Sequence, residues 1–138
     1  MAVVLPQGRF NNSSDKNIRE YLTEKCRILG VVGLHGNVFK PHTGTKTSVM
    51  FVQKWDDKLC PKVDDYPIFF GTMQEPSKDT SGDKIFVKNE DGTPKLDTHE
   101  HLIVKHDLFN HDNLTQDGIA EAFIEFAKKE KLSFVGKL

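Results

Sequence analysis

Cysteine is scarce: Cys26 and Cys60 are the only two in 138 residues, and their spacing fits no metal or redox motif. Two free thiols in a reducing cytoplasm follow from that usage. Basic excess is missing as well. Nineteen lysines and arginines stand against 20 acidic residues, for a formal charge of −1 with histidine neutral. Composition therefore supplies no electrostatic footprint for nucleic acid. The expectation from the opening residues is no signal peptide, and no apolar run has the length of a membrane span. What remains is a soluble, globular composition, 37% hydrophobic and 28% charged, sized for one domain with a modest core.

The most informative stretch runs from Gly30 to Gln53. Gly30–Leu34 is a short apolar run and Thr47–Val52 a longer β-branched and aromatic one, both with strand composition. The loop between them, Asn37–Thr45, carries one aromatic residue, Phe39, that neither strand needs. Upstream, residues 2–5 form an apolar run without alternation, as in strands buried on both faces. Pro6 and Gly8 end it. Such a strand needs neighbours on both sides, so the expectation is a chain cut from a longer protein.

Ser14 is the expected N-cap of a helix from Asp15 to about Lys25, with Ile18, Tyr21, Leu22 and Cys26 on one stripe facing a sheet. A second strand, Ile28–Leu34, completes a βαβ unit. The third, Lys46–Lys54, follows a loop without a helix and is expected antiparallel to its neighbour. Trp55–Tyr66 reads as a connector, and residues 67–71 as a short buried strand. Residues 84–88 and 102–105 are candidate strands around the turn pair Asp91-Gly92. The last helix is expected from Thr115 as N-cap, with Leu114 stapled to Ile119. Ile119, Ala122, Phe123, Phe126 and Ala127 form its core stripe, and Glu125 pairs with Lys129 on the outer face.

Few residues here suggest chemistry. Gly44-Thr45-Lys46-Thr47 has the wrong spacing for a phosphate-binding loop, and a strand follows where a helix should. His99, Glu100, His101, His106 and His111 are possible metal ligands, but the spacing is not that of a helical zinc site. Solvent-exposed histidines are the expectation, and no metal is assigned. Phe39 has two roles open to it. It can stack on a nucleobase, since every base offers a π face, or fold back onto the core.

One family matches a set of these segments in order. Ala2-Val3-Val4-Leu5-Pro6-Gln7-Gly8, Ile18–Leu22, Val31–Leu34, Val38-Phe39 and Thr43–Val49 together resemble the adenine methyltransferase (modification) subunit of type I restriction–modification systems. The resemblance covers about the first 54 residues, and Glu121–Phe126 is similar to a segment downstream of that family's catalytic core. It implies an α/β fold: the C-terminal part of a Rossmann-like, S-adenosylmethionine-dependent methyltransferase with a reversed strand near one edge. Residues 1–54 would supply the end of that sheet, with Ala2–Leu5, Val31–Leu34 and Thr47–Val52 as its fifth, sixth and reversed seventh strands. Residues 55–138 would be a downstream extension. The resemblance further implies a flipped adenine whose exocyclic amine is methylated, with Phe39 as the base-stacking residue.

The family's glycine-rich cofactor motif and its catalytic Asn-Pro-Pro-aromatic motif are absent, and the chain has no Asn-Pro dipeptide at all. The expectation is therefore a fragment that binds no cofactor and is inactive alone. Its parent would use S-adenosylmethionine and work with DNA, a specificity subunit and a restriction subunit. A fused restriction–methylation polypeptide is a variant of that reading. A small non-catalytic α/β binding module is the competing one. With the family's fourth strand missing, the Met1–Leu5 edge would be covered by a homodimer partner or by the chain's own later strands.

Overall fold

The protein is described here by a computed structural model covering residues 1–135. Seven elements follow in order: β1 (Ala2–Pro6), a 3-10 turn (Gln7–Phe10), α1 (Lys16–Lys25), β2 (Cys26–Gly33), β3 (Thr47–Lys54), β4 (Phe69–Thr72) and α2 (Ile119–Lys129). The result is a mixed α/β architecture around a four-stranded sheet of order β1-β3-β2-β4.

The central strand β3 runs antiparallel to both β1 and β2. Those two therefore point the same way, as a strand–helix–strand crossover requires. Val3 lies opposite Met50, and Val49 sits between Val4 and Val32, so the three apolar segments share one sheet. A register shift between Ile28 and Gly30 puts a bulge at Leu29. Thereafter Ile28, Val31, Met50, Val3 and Leu5 face one side by alternation, and Gly30, Val32, Val49 and Val4 the other.

The chain divides into two compact units. The first holds Met1–Gly33, Thr47–Gly71 and residues 124–135. In it α1 lies along the Leu5, Val31 and Met50 face, but as one wall of an open cleft of about 700 Å³ that Ile18, Leu22 and Phe70 also line. The expected inward stripe is thus only half realised. Ile18 and Tyr21 are each 60% exposed, and α1 buries no residue. The far part of α2 serves the other face, where Phe126 meets Phe69 at 5.7 Å between ring centroids and Glu130 approaches Arg27 at 3.9 Å. Across this unit Leu29, Val32, Met50, Val52 and Ala127 are buried.

β1 is an edge strand, and among the described residues β3 is its sole strand partner. The expectation that the chain's own later strands cover that edge is therefore not met. The N-cap expectations also fail. No side chain caps α1; Asn12 Oδ1 instead accepts the Asp15 amide at 2.9 Å, just ahead of the helix. α2 starts three residues later than a Thr115 cap requires, because Thr115 accepts the His111 amide in a preceding turn. Glu125 pairs with Lys128 at 3.8 Å, and Ala122 is exposed.

The second unit holds Leu34–Lys46 and Thr72–Phe123. Strands were expected at 84–88 and 102–105; the chain makes isolated antiparallel bridges instead, Phe86 with Val104, Lys88 with Pro94 and Leu96 with Leu102. Aspartates close the turns between them. Asp79 accepts the Ser81 and Asp83 amides, Asp91 that of Thr93, and Asp97 those of His99 and His101. Each satisfies turn amides that no ladder reaches. Ile103, 1% exposed, is the centre of this unit's core.

These contacts fix the pH dependence of stability. The Glu121 carboxylate accepts the Asn110 amide at 2.7 Å and the Gly118 amide at 2.8 Å, which hold it below the usual carboxylate range. The Arg9 guanidinium and Asn12 do the same for Asp15, and burial pulls His106 down. A depressed folded pKa stabilises above the unfolded value and loses that contribution as pH falls. Burial raises the Cys60 thiol, whose contribution is lost as pH rises instead. Urea midpoints should therefore plateau between about pH 7 and 8.5, decline first as His106 titrates, and fall further below about pH 4.5. Glu121→Gln should be less stable at pH 7 and lose less between pH 7 and about 3.5.

Candidate functional site

The loop between β2 and β3 is built as a chain of tight turns. Val38, Lys40 and His42 donate their amides to the carbonyls of His35, Asn37 and Phe39 at 3.0–3.1 Å, and Thr43 also reaches the Phe39 carbonyl. Satisfying the backbone within the loop frees the Phe39 ring from any role in a sheet. It is 40% exposed.

Sequence reasoning missed what holds this loop. The Asn37 side chain donates to the Lys78 carbonyl at 3.0 Å, and the Lys78 ammonium donates back to the Lys40 carbonyl at 3.0 Å. Gly82 lies against Pro41, after the cis Lys40–Pro41 peptide, and adopts φ +94°. A Cβ there would meet Pro41 Cδ and N at 2.7 Å. The only sequence signal for this brace was the Ser81-Gly82 turn pair, which names a turn but not its neighbour.

Gly82→Ala should therefore loosen the Phe39 loop through both the left-handed backbone and the collision. We expect a loss of roughly 2 kcal/mol in chemical denaturation, with faster amide exchange concentrated in residues 34–46.

The electrostatics of the loop differ from those of the whole chain. Residues 34–46 contain Lys40 and Lys46, two histidines and no acidic residue. The Lys40 ammonium lies over the Gly44 backbone, 3.2 Å from where a Cβ would sit. An exposed aromatic ring on a loop that also carries two lysines can take a base face and the phosphates next to it. The Gly44–Thr47 segment leads straight into β3, so no helix N-terminus is there to cradle a phosphate.

Of the histidines, His99 and His101 are exposed, as expected. His106 and His111 are half-buried and flank Phe109, with ring centroids 4.5 and 6.0 Å away. The structure groups His111 with Asp97 and Asp112 rather than with the His99–His101 pair alone.

Among known families, the N-6 DNA methylases match residues 1–132, nearly the whole chain. The chain belongs to the N-6 DNA methylase family. It is also similar to the type I restriction enzyme EcoEI methylase subunit of Escherichia coli, with 43% identity over 54 residues. That match covers 38% of this chain and 11% of the relative, so the chain spans a small part of the curated protein it matches. Methyltransferase membership agrees with the α/β sheet and its central reversed strand.

The donor set of this family's cofactor site is not found in the chain. There is no glycine-rich FxGxG-like motif and no Asn-Pro pair. The loop at the carboxyl end of β2 has no carboxylate for a ribose, and Asp15, beyond the end of β1, is engaged with Arg9 at 3.1 Å. These residues do not by themselves fit S-adenosylmethionine. Among the described residues, no helix is long and apolar enough to cross a membrane.

Proposed function

We propose that this chain is the carboxyl-side part of a DNA adenine-N6 methyltransferase subunit of a type I restriction–modification system. Its β1, β2 and β3 correspond to the fifth, sixth and reversed seventh strands of a Rossmann-like methyltransferase sheet. The observation that carries the reading is Phe39. It is exposed on a cationic, internally hydrogen-bonded loop that leads into the antiparallel strand.

In the parent, S-adenosylmethionine would supply the methyl group to the exocyclic amine of a flipped adenine. This chain's contribution is a stacking surface for that base, with Lys40 and Lys46 for adjacent phosphates. The target site would be chosen by a specificity subunit, and a restriction subunit would complete the assembly. The 138-residue chain, lacking the cofactor and amine-aligning motifs, is inactive alone, works in the cytoplasm, and pairs as a homodimer through the Met1–Leu5 edge.

The decisive experiment is methyl transfer by the full-length gene product from labelled S-adenosylmethionine to DNA, together with its specificity subunit. Incorporation into adenine N6 supports the reading. A gene without an upstream Asn-Pro-Pro-aromatic motif, or a product that never binds the cofactor, would leave a non-catalytic binding module instead. For the isolated chain, sedimentation should give a dimer, and Val4→Pro, which removes a donor on the edge strand, should give monomers.

A further inference from the structure

We propose that Asp97, His111 and Asp112 form a binding site for one divalent transition-metal ion, zinc foremost, with His101 as a fourth ligand. Each of the first three offers one ligand atom, and all three atoms lie within 4.8 Å of one another. Two donors about 2.1 Å from a shared ion at the tetrahedral angle stand roughly 3.4 Å apart. His111 Nδ1 and Asp112 Oδ2 are 3.6 Å apart, too long for a hydrogen bond and close to that co-ligand spacing.

Two further observations point to an ion-binding role. His111 Nδ1 is buried with no hydrogen-bond partner, which in a neutral or protonated imidazole leaves a desolvated polar atom unsatisfied. The Asp97 side chain is only 8% exposed, unusual for a carboxylate without a cation in direct contact. Its Oδ1 accepts the His99 and His101 amides, both at 2.8 Å, which orients the carboxylate and leaves Oδ2 to a ligand. His101 Nδ1 is 3.8 Å from that Oδ2 on a side chain 77% exposed, free to swing inward. The Thr98 hydroxyl donates to Asp112 Oδ2 at 3.3 Å, and the Phe109 ring, stacked 6.0 Å from His111, fixes the imidazole.

The donor set selects the ion. Two imidazoles and two carboxylates suit zinc, cobalt or nickel, whereas calcium and magnesium prefer oxygen alone. Asp97 and His111 come from turns 14 residues apart, so a bound ion would tie two loops together and stabilise the fold by mass action.

The test is calorimetric titration of the chelator-treated 138-residue chain with zinc chloride, with thermal unfolding followed in parallel. One saturable equivalent is expected, with a rise in Tm of roughly 9 °C at a hundredfold excess over Kd and none with calcium. Cobalt should give the visible absorption of a tetrahedral site. His111→Ala and Asp112→Asn should each weaken zinc at least tenfold, while His99→Ala stays within twofold of the parent chain. Asp112 is 43% exposed at its side chain, so Asp112→Asn should fold even where His111→Ala does not. Absence of a saturable site, or binding undiminished in Asp112→Asn, overturns the proposal.

Discussion

Gly118→Ala should cost about 3 kcal/mol or more, although helix propensity alone would favour it. Gly118 immediately precedes α2, and a Cβ built there collides with the Asp107 carbonyl oxygen and sits 2.9 Å from the Asp107 carbonyl carbon. The Leu108 carbonyl carbon is 3.0 Å away, so the obstruction is the backbone of two consecutive residues. The same carbonyls receive the first amides of α2, Ile119 to Asp107 at 3.0 Å and Ala120 to Leu108 at 2.7 Å. Moving the Asp107–Leu108 backbone aside to admit a methyl group would break both bonds and pull Gly118 and Asn110 away from the Glu121 carboxylate. No flexible side chain is available to yield. In urea the variant's midpoint should drop with its slope unchanged. A midpoint within about 0.5 kcal/mol of the parent would mean that this close approach is not part of the folded state.

That steric lock also shows where the sequence was readable and where it was not. β1, α1, β2 and β3 are anticipated to within two residues, because their apolar runs and helical spacing are local signals. The antiparallel β3 follows from a connection that reads as a loop without a helix. The start of α2 was not legible. Thr115 has the chemistry of an N-cap, but Gly118 can approach Asp107 as no other residue can, and that neighbour lies 11 positions upstream. Residues 84–105 contain strand-like residues yet make only single bridges. Pro94 has no amide to give, and Asp91 and Asp97 draw nearby amides into turns. The α1 stripe was read correctly as apolar, but Ile18 and Tyr21 stay exposed because α1 borders a cleft rather than a closed layer. Phe39 could be singled out from sequence. Its brace through Asn37, Lys78 and Gly82 could not, since those contacts span about 40 residues.

Phe39→Ala in the full-length methylase should lower kcat/KM for adenine methylation by roughly 5- to 150-fold, the range for losing one base–aromatic stack. Affinity for duplex DNA should change little, because phosphate and specificity contacts would remain. The deficit should shrink when the target adenine faces a mismatch, since an unpaired base costs less to extrude. Phe39→Trp should retain most of the activity, because a π face rather than a particular ring is what the base requires. The other role for Phe39, folding onto the core, makes the opposite forecast in the 138-residue chain. Truncating a core phenylalanine costs about 3–5 kcal/mol, whereas a ring presented to solvent costs within about 0.5 kcal/mol. With 40% of the residue exposed and the loop backbone satisfied without it, the small value is expected. A large loss of stability, or full methylation by Phe39→Ala on matched duplex, would return Phe39 to the core and remove the stacking role. The Lys40 and Lys46 ammonium groups would then contact phosphate without a base beside them.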